Sequence, residues 1–371
     1  MEKCGICIER KAEGERMTKG TKKMNVLFNT YPTAFQFPGG GELILEKIYR
    51  HLQGKEVNVK LFDQWKDKIS DYDLLHNFGP QSDCASVVHA AHTAGIKVAV
   101  HTIYWPMNEY ALRGHLPMGE RVKKLAYNFF NRHNMLGISK MRNIIDTADV
   151  LFPNSQIEAD MLVSEFGTDR EKIHVVPDGV DERFFGAKPD EFVKKYGVKD
   201  FVLYVGRLEP RRNLLGMIRA MKLAGVKAPL VVIGAEDPVQ KEYADACRRE
   251  APQGTLFTGR IPHDSTLLAS AYAAAKVFVA PTWAETPGLA AMEAGMAFTN
   301  IVITTRGCAK EYFLDYADYI DPTNTAHLGN AIKEALGKEP SKKLAQHLKK
   351  NYTWDAVADI TIKGYKKALN I

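Results

Sequence analysis

Val277-Phe278-Val279-Ala280-Pro281-Thr282-Trp283-Ala284-Glu285-Thr286-Pro287-Gly288-Leu289-Ala290-Ala291-Met292-Glu293 reads as a buried strand, a loop and the start of a helix. Val277–Ala280 is a short apolar run of the kind that fills the middle of a parallel sheet. Thr286 is a capping residue and Pro287 suits a first helical turn, so the pattern predicts a helix beginning there. In an open parallel sheet that junction lies at the carboxyl edge, where ligands bind. Its backbone N–H groups and helix dipole suit phosphate oxygens. Glu285 stands at the mouth, and Glu293 lies roughly 9 Å further along at 1.5 Å per residue. Two acceptors so spaced, with an anion site between them, match a sugar, a diphosphate and a ribose in line. Either acid alone reads equally well as a solvated carboxylate. The small, apolar neighbours of Glu293, however, make it an exception that needs a partner.

The same βα rhythm extends outward in both directions. Phe201–Gly206, Leu230–Gly234, Thr255–Thr258 and Ile301–Thr304 are further strand candidates of this half. Upstream, Asn25–Asn29 reads as a strand, followed by a loop ending in Gly39-Gly40-Gly41 and a helix from Glu42 to about Leu52. Val57–Phe62, Leu74-Leu75, Lys97–His101 and Val150–Pro153 continue that series, and the polar stretch Gly186–Asp200 separates the halves. Such alternation predicts an α/β fold of two Rossmann-like domains with parallel sheets, which suits 371 residues. The expected divisions are an extension over 1–23, domains over 24–190 and 191–350, and a closing segment, 351–371, whose helix spans Asp355–Leu369.

The strand Phe201–Gly206 runs straight into Arg207-Leu208-Glu209-Pro210-Arg211-Arg212-Asn213. Arginines at the carboxyl end of a buried strand suit bidentate phosphate binding. Solvated loop charges are the bland alternative. Gly206 argues against it by bringing Arg207 to the backbone edge.

Together these motifs resemble the large family 4 of retaining glycosyltransferases, with the two-domain GT-B fold. The resemblance rests on Gly206-Arg207, the basic Arg212 five positions on, and Glu285-x7-Glu293 around Gly288-Leu289. Val176-Pro177-Asp178-Gly179-Val180-Asp181, Phe257-Thr258-Gly259-Arg260-Ile261 and the Gly39–Gly41 loop extend it from about Met24 to the last helix. It implies that Arg207 and Arg212 clamp the diphosphate, that Glu285 faces the donor sugar, and that Glu293 faces the ribose. Gly288 and Leu289 would present backbone N–H groups, beside Thr286, and Ile261 would meet the nucleobase. Gly39, Gly40 and Gly41 would approach from the other domain, and the last helix would cross back to it. A sugar-contacting histidine is implied near the fourth strand, and His101 and His76 are the candidates. The chain departs from the family's usual residues at Arg212, where Lys is common, at Pro287, where an aromatic is common, and at Asp178, where Asn is common.

The implied activity is metal-independent, retaining transfer of a sugar from a nucleoside-diphosphate sugar to a glycan or lipid-linked acceptor, in surface polysaccharide or glycolipid synthesis. A nucleotide-sugar epimerase of the same architecture and a non-catalytic nucleotide-sugar-binding protein are the rivals. A glycosidase would pair carboxylates too, but has no use for an arginine clamp. Asp71-Tyr72-Asp73 is acidic but precedes a buried strand and reads as a strand-entry turn, so no metal and no cofactor is implied.

Composition bounds the rest. No run of about 18 apolar residues spans a membrane, and Met1–Lys23 lacks the apolar core of a secretory signal, so a cytoplasmic protein is expected. Cys4 and Cys7 form a lone C-x-x-C without a second pair, and five scattered cysteines imply no disulfide framework. The net charge of +6 concentrates in 119–142, where Arg121, Lys123, Lys124, Arg132, Lys140 and Arg142 interleave with Leu125, Tyr127, Phe129, Phe130, Met135, Leu136 and Ile138. That stretch reads either as an ordinary helix pair or as a contact with an anionic membrane surface, which would place the protein on the inner face of the cell membrane. It carries no nucleic-acid-reading motif.

Overall fold

The computed structural model describes residues 23–36, 38–114, 116–133 and 139–371. Cys4, Cys7, nearly all of the 1–23 extension, and Met135, Leu136 and Ile138 lie outside the described residues. The first half forms a parallel sheet from β1 (Met24–Asn29), β2 (Val57–Leu61), β3 (Leu74–Phe78), β4 (Lys97–His101) and β5 (Val150–Phe152), in the order β2-β1-β3-β4-β5. The second half forms another from β6 (Phe201–Val205), β7 (Leu230–Ile233), β8 (Leu256–Gly259), β9 (Ala275–Ala280), β10 (Asn300–Thr304) and β11 (Asp318–Ile320), in the order β11-β10-β9-β6-β7-β8. The expected α/β fold of two parallel-sheet domains is present. β11 had no counterpart among the expected strands, because three residues at a sheet edge carry no readable apolar period.

The apolar runs are explained by burial on both sheet faces. In β1, Val26 and Phe28 face one core cluster, while Leu27 faces another. The second sheet divides likewise, with Leu203 on one side and Val202 and Tyr204 on the other.

Two helix starts differ from the sequence-based expectation by two residues or more. The helix expected from Glu42 begins at Gly40, with Glu42 accepting from the backbone N–H of Gly39 at 2.6 Å. The helix expected from Thr286 and Pro287 begins at Leu289, so Thr286 caps nothing. Gly288 occupies the N-cap with φ 104°, a conformation that L side chains rarely adopt. Nothing in local propensity distinguishes this start from one three residues earlier.

The last helix, Trp354–Leu369, is capped by the Thr353 hydroxyl, which accepts from the Ala356 N–H. It lies on the first sheet: Trp354, Val357, Ile362 and Tyr365 share a core cluster with Val26, Phe28, Leu74 and Phe152. Gly364 permits that approach, since a Cβ there would stand 2.4 Å from Phe152 Cε1. Replacing Gly364 by Ala adds up to about 1 kcal/mol of helix propensity. Overpacking costs more, so Gly364→Ala is expected to destabilise the protein by about 1–3 kcal/mol. A lowered urea midpoint checks this, and a raised one would refute the docking contact.

Candidate functional site

The carboxyl ends of β6 and β9 carry the second domain's site residues into one contiguous surface. β6 ends beside Gly206, and Arg207 follows with its carbonyl accepting from the Tyr204 hydroxyl at 2.8 Å. The Arg207 side chain crosses to the first domain, where Nη2 donates to the Pro38 carbonyl at 3.3 Å and lies 3.2 Å from where a Gly39 Cβ would be. A Cβ on Gly40 would stand 3.8 Å from Leu289 Cδ1, and one on Gly41 would stand 3.9 Å from Ile103 Cδ1. The glycine loop therefore sits against both Arg207 and the start of the helix Leu289–Met296.

Glu285 follows β9 and is 7% exposed. Its backbone bridges Gly307, with Cys308 N–H donating to the Glu285 carbonyl at 3.0 Å. Its carboxylate accepts from Arg212 Nη1 at 2.8 Å and stands 3.2 Å from where a Gly288 Cβ would be. A side chain at Gly288 would thus meet that carboxylate. Arg212 and Glu285, read separately from the sequence, are one ion pair.

Glu293 is 5% exposed rather than solvated. Its two oxygens face His263 Nε2 and the Tyr272 hydroxyl, each at 2.7 Å. Neither partner was among the residues singled out from the sequence: His263 follows Ile261-Pro262 in a loop, and Tyr272 looks like an ordinary core residue of an apolar helix. Ile261 is nearly buried and packs in the cluster containing Leu267 and Tyr272.

The two histidine candidates are both wholly buried. His76 lies in the middle of β3, not at its end, and its Nδ1 is 2.7 Å from the Tyr365 hydroxyl of the last helix. Its ring packs among Phe28, Phe78 and Phe152. His101 ends β4 with its ring stacked on Phe78 at 5.4 Å, and neither ring nitrogen has a hydrogen-bond partner among the described residues. Its Nε2 is 4.0 Å from Asp178 Oδ1.

This pair belongs to a buried polar junction between the domains. Burial lowers His101 to about 4 and raises Asp178 to about 8, so at neutral pH the two are not an ion pair. The Asn154 amide donates to Asp178 Oδ2 at 3.1 Å and to the Thr286 carbonyl at 3.0 Å. Tyr312 donates to the Asn154 carbonyl and accepts from the Asp178 N–H at 2.9 Å. Glu158, raised by burial to about 7, accepts from Thr102, Tyr104 N–H and Asn154 N–H.

The basic stretch divides on inspection. Arg121 donates to the carbonyls of Leu116, Leu112 and Gly114, and Arg142 pairs with Asp146, so these two serve the fold. Lys123, Lys124, Arg132 and Lys140 are exposed. On the helix Met118–His133, Met118, Val122 and Phe129 fall on one exposed stripe, with Lys123, Tyr127 and Phe130 on the next. No helix among the described residues is long and apolar enough to cross a membrane.

Two family models match consecutive parts of the chain: Glycosyltransferase Family 4 over residues 32–184, and Glycosyl transferases group 1 over residues 188–353. A D-inositol 3-phosphate glycosyltransferase of Paenarthrobacter aurescens (strain TC1) is 26% identical over 62% of this chain, which spans 60% of that relative's length. An O-antigen chain mannosyltransferase B of Escherichia coli is 24% identical over 92% of this chain and 100% of its own length. Among solved structures, sucrose-phosphate synthase from Thermosynechococcus elongatus has a TM-score of 0.72 at 16% identity, over 94% of this chain and 99% of that one. Anabaena HepE in complex with UDP and glucose has a TM-score of 0.68 at 15% identity, over 93% and 99%.

The buried junction sets a pH dependence. Asp178 and Glu158 have folded values above those of unfolded carboxyls, so their stabilisation is complete below about pH 4 and is lost as pH rises through about 7 to 8. Asp178→Asn removes one of these titrations. Its stability relative to wild type is therefore expected to be greater at pH 8 than at pH 5, measured by urea unfolding at both. An equal difference at both pH values would refute the buried-acid account.

Proposed function

As this chain belongs to the group 1, family 4 glycosyltransferases, we propose that it moves a sugar from a nucleoside-diphosphate sugar to a glycan or lipid-linked acceptor, with retention at the anomeric carbon. One observation carries the reading: Arg207, the Gly39–Gly41 loop, Leu289, Gly288, Glu285 and Arg212 form an unbroken series of close contacts where the carboxyl edges of the sheets meet. Departure of a nucleoside diphosphate develops negative charge on the leaving group. Arg207, Arg212 and the first N–H groups of the helix Leu289–Met296 stabilise it without a divalent ion, because cationic donors held in place lose no energy to reorganisation. Glu285 holds Arg212 by one oxygen and faces the transferred sugar. Glu293 meets the ribose and Ile261 the base. UDP and glucose bound to a protein of similar fold support a donor of this class.

His101 enters this scheme only through its neighbours. Wholly buried and neutral, its ring stacks on Phe78 rather than lying open to solvent.

Arg207→Ala is expected to lower turnover by about 10²-fold or more, the scale of losing one charge-stabilising donor. Arg212→Lys should be milder, since a point charge keeps part of the pair with Glu285. Thermal stabilisation by UDP, GDP, ADP and CMP identifies the donor base, and sugar release or transfer from the matching nucleotide sugar measures the rate. Near-normal turnover in Arg207→Ala would overturn the leaving-group assignment.

The acceptor side is read from the exposed face of the helix Met118–His133. Its lysines and aromatics suit an anionic bilayer, where each basic residue contributes about 1 kcal/mol and inserted apolar side chains add to it. That face supports our reading of a peripheral protein on the inner face of the membrane, acting in surface polysaccharide or glycolipid assembly. It is expected to sediment with phosphatidylglycerol vesicles at low salt and to release at high salt. Lys123→Gln with Lys124→Gln should reduce that sedimentation, whereas Arg121→Gln should act on stability instead. Equal recovery with phosphatidylcholine vesicles would point to a soluble acceptor.

A further inference from the structure

Glu293 does not choose its own orientation. Tyr272 donates to one carboxylate oxygen from inside the core, and burial holds the phenol well above its usual range, so it remains a donor. The other oxygen faces His263 Nε2 at 2.7 Å. His263 is itself held by Arg183, in the connection between the domains: Arg183 Nη2 lies 3.4 Å from His263 Nδ1 and donates to the His263 carbonyl. A guanidinium only donates, so Nδ1 is the acceptor in that contact and Nε2 carries the N–H aimed at Glu293. The Arg183 guanidinium also lies 4.3 Å from the centroid of Phe184, whose ring meets both His263 and Tyr272 edge-on. Beyond it, Asp181 pairs with Lys47 of the helix Gly40–Leu52 at 2.8 Å. The interdomain connection thus buttresses both groups that grip the carboxylate.

We infer that His263 is a positioning residue for nucleotide recognition: kept in its Nε2–H tautomer by Arg183, it fixes the Glu293 carboxylate so that its remaining lone pairs meet the ribose hydroxyls of the donor. This rests on the assignment of Glu293 to the ribose. A carboxylate already gripped at both oxygens presents acceptors at fixed points, and a hydroxyl bound there gains more than one bound to a side chain that must first be ordered. Arg183 acts one step further back and should matter less.

The test compares the best-binding nucleoside diphosphate among UDP, GDP and ADP with its 2′-deoxy and 3′-deoxy forms, by calorimetry on the full chain. His263→Ala is expected to weaken binding of the ribonucleotide roughly tenfold, the scale of a lost hydrogen bond to a charged group. It should also shrink the penalty for the deoxy forms. His263→Gln, which returns an N–H near the same point, should restore both, and Arg183→Ala should move both in the direction of His263→Ala but by less. Because a structural role would lower all affinities alike, an unchanged ratio between ribose and deoxyribose forms in His263→Ala overturns the inference. So does an unchanged ribonucleotide affinity. If wild type is itself indifferent to the ribose hydroxyls and Glu293→Gln changes nothing, the ribose assignment fails first and takes this inference with it.

Discussion

The two domains meet through buried polar groups, and the geometry of the cleft depends on the hydrogen bonds those groups make across the junction. Moving an ion into a protein interior costs several kcal/mol even after relaxation. Asp178 and His101 avoid that cost by titrating away from neutrality, the acid upward and the histidine downward, while Glu158, raised to about 7, is held by three donors. What remains is a hydrogen-bonded network centred on the Asn154 amide. That amide grips Asp178 within its own half and the Thr286 carbonyl across the junction. Thr286 lies between Glu285 and Gly288, so the anchor comes from one domain while the pocket it shapes belongs to the other. The Glu311 carboxylate reinforces it, accepting from Gln156 N–H and Ile157 N–H at the start of a first-domain helix.

From that anchor the pocket's electrostatics follow. The Arg212–Glu285 pair is nearly dry on the acid's side. Such pairs are weak evidence for stability, since desolvation offsets their attraction. Their value here is geometric. A guanidinium held at 2.8 Å by an acid that is itself bridged to Gly307 cannot wander, and Arg207 is held from the opposite domain by the Pro38 carbonyl. Charges fixed in this way can meet an anion without first being ordered. The same logic recurs at Glu293, where two donors fix an acceptor.

The surface charge has a different lesson. Arg121 and Arg142, counted with their neighbours as one basic stretch, satisfy local carbonyls and an acid. A guanidinium's fork of donors makes it suited to ending a helix or closing a turn. Lysines, as hydrated point charges, are left to face solvent beside Phe130 and Tyr127.

The continuous apolar runs, the Gly-Arg strand end and the Glu-x7-Glu spacing were legible because burial and backbone pairing act within a few residues along the chain. They determined two parallel-sheet domains and which loops lie at the carboxyl edges. Partners were not legible. His76 reads as a strand-end candidate until Tyr365, 289 residues away, takes its ring nitrogen, and Glu293 reads as a solvated or ligand-facing acid until His263 and Tyr272 close on it. The start of the helix at Leu289 was hidden for the same reason: Thr286 is a good cap by itself, but its carbonyl is claimed by Asn154 from the other domain. Local propensity is worth about a kilocalorie per residue at most. Satisfying a buried polar group is worth more than that, and only the tertiary structure decides which group satisfies which.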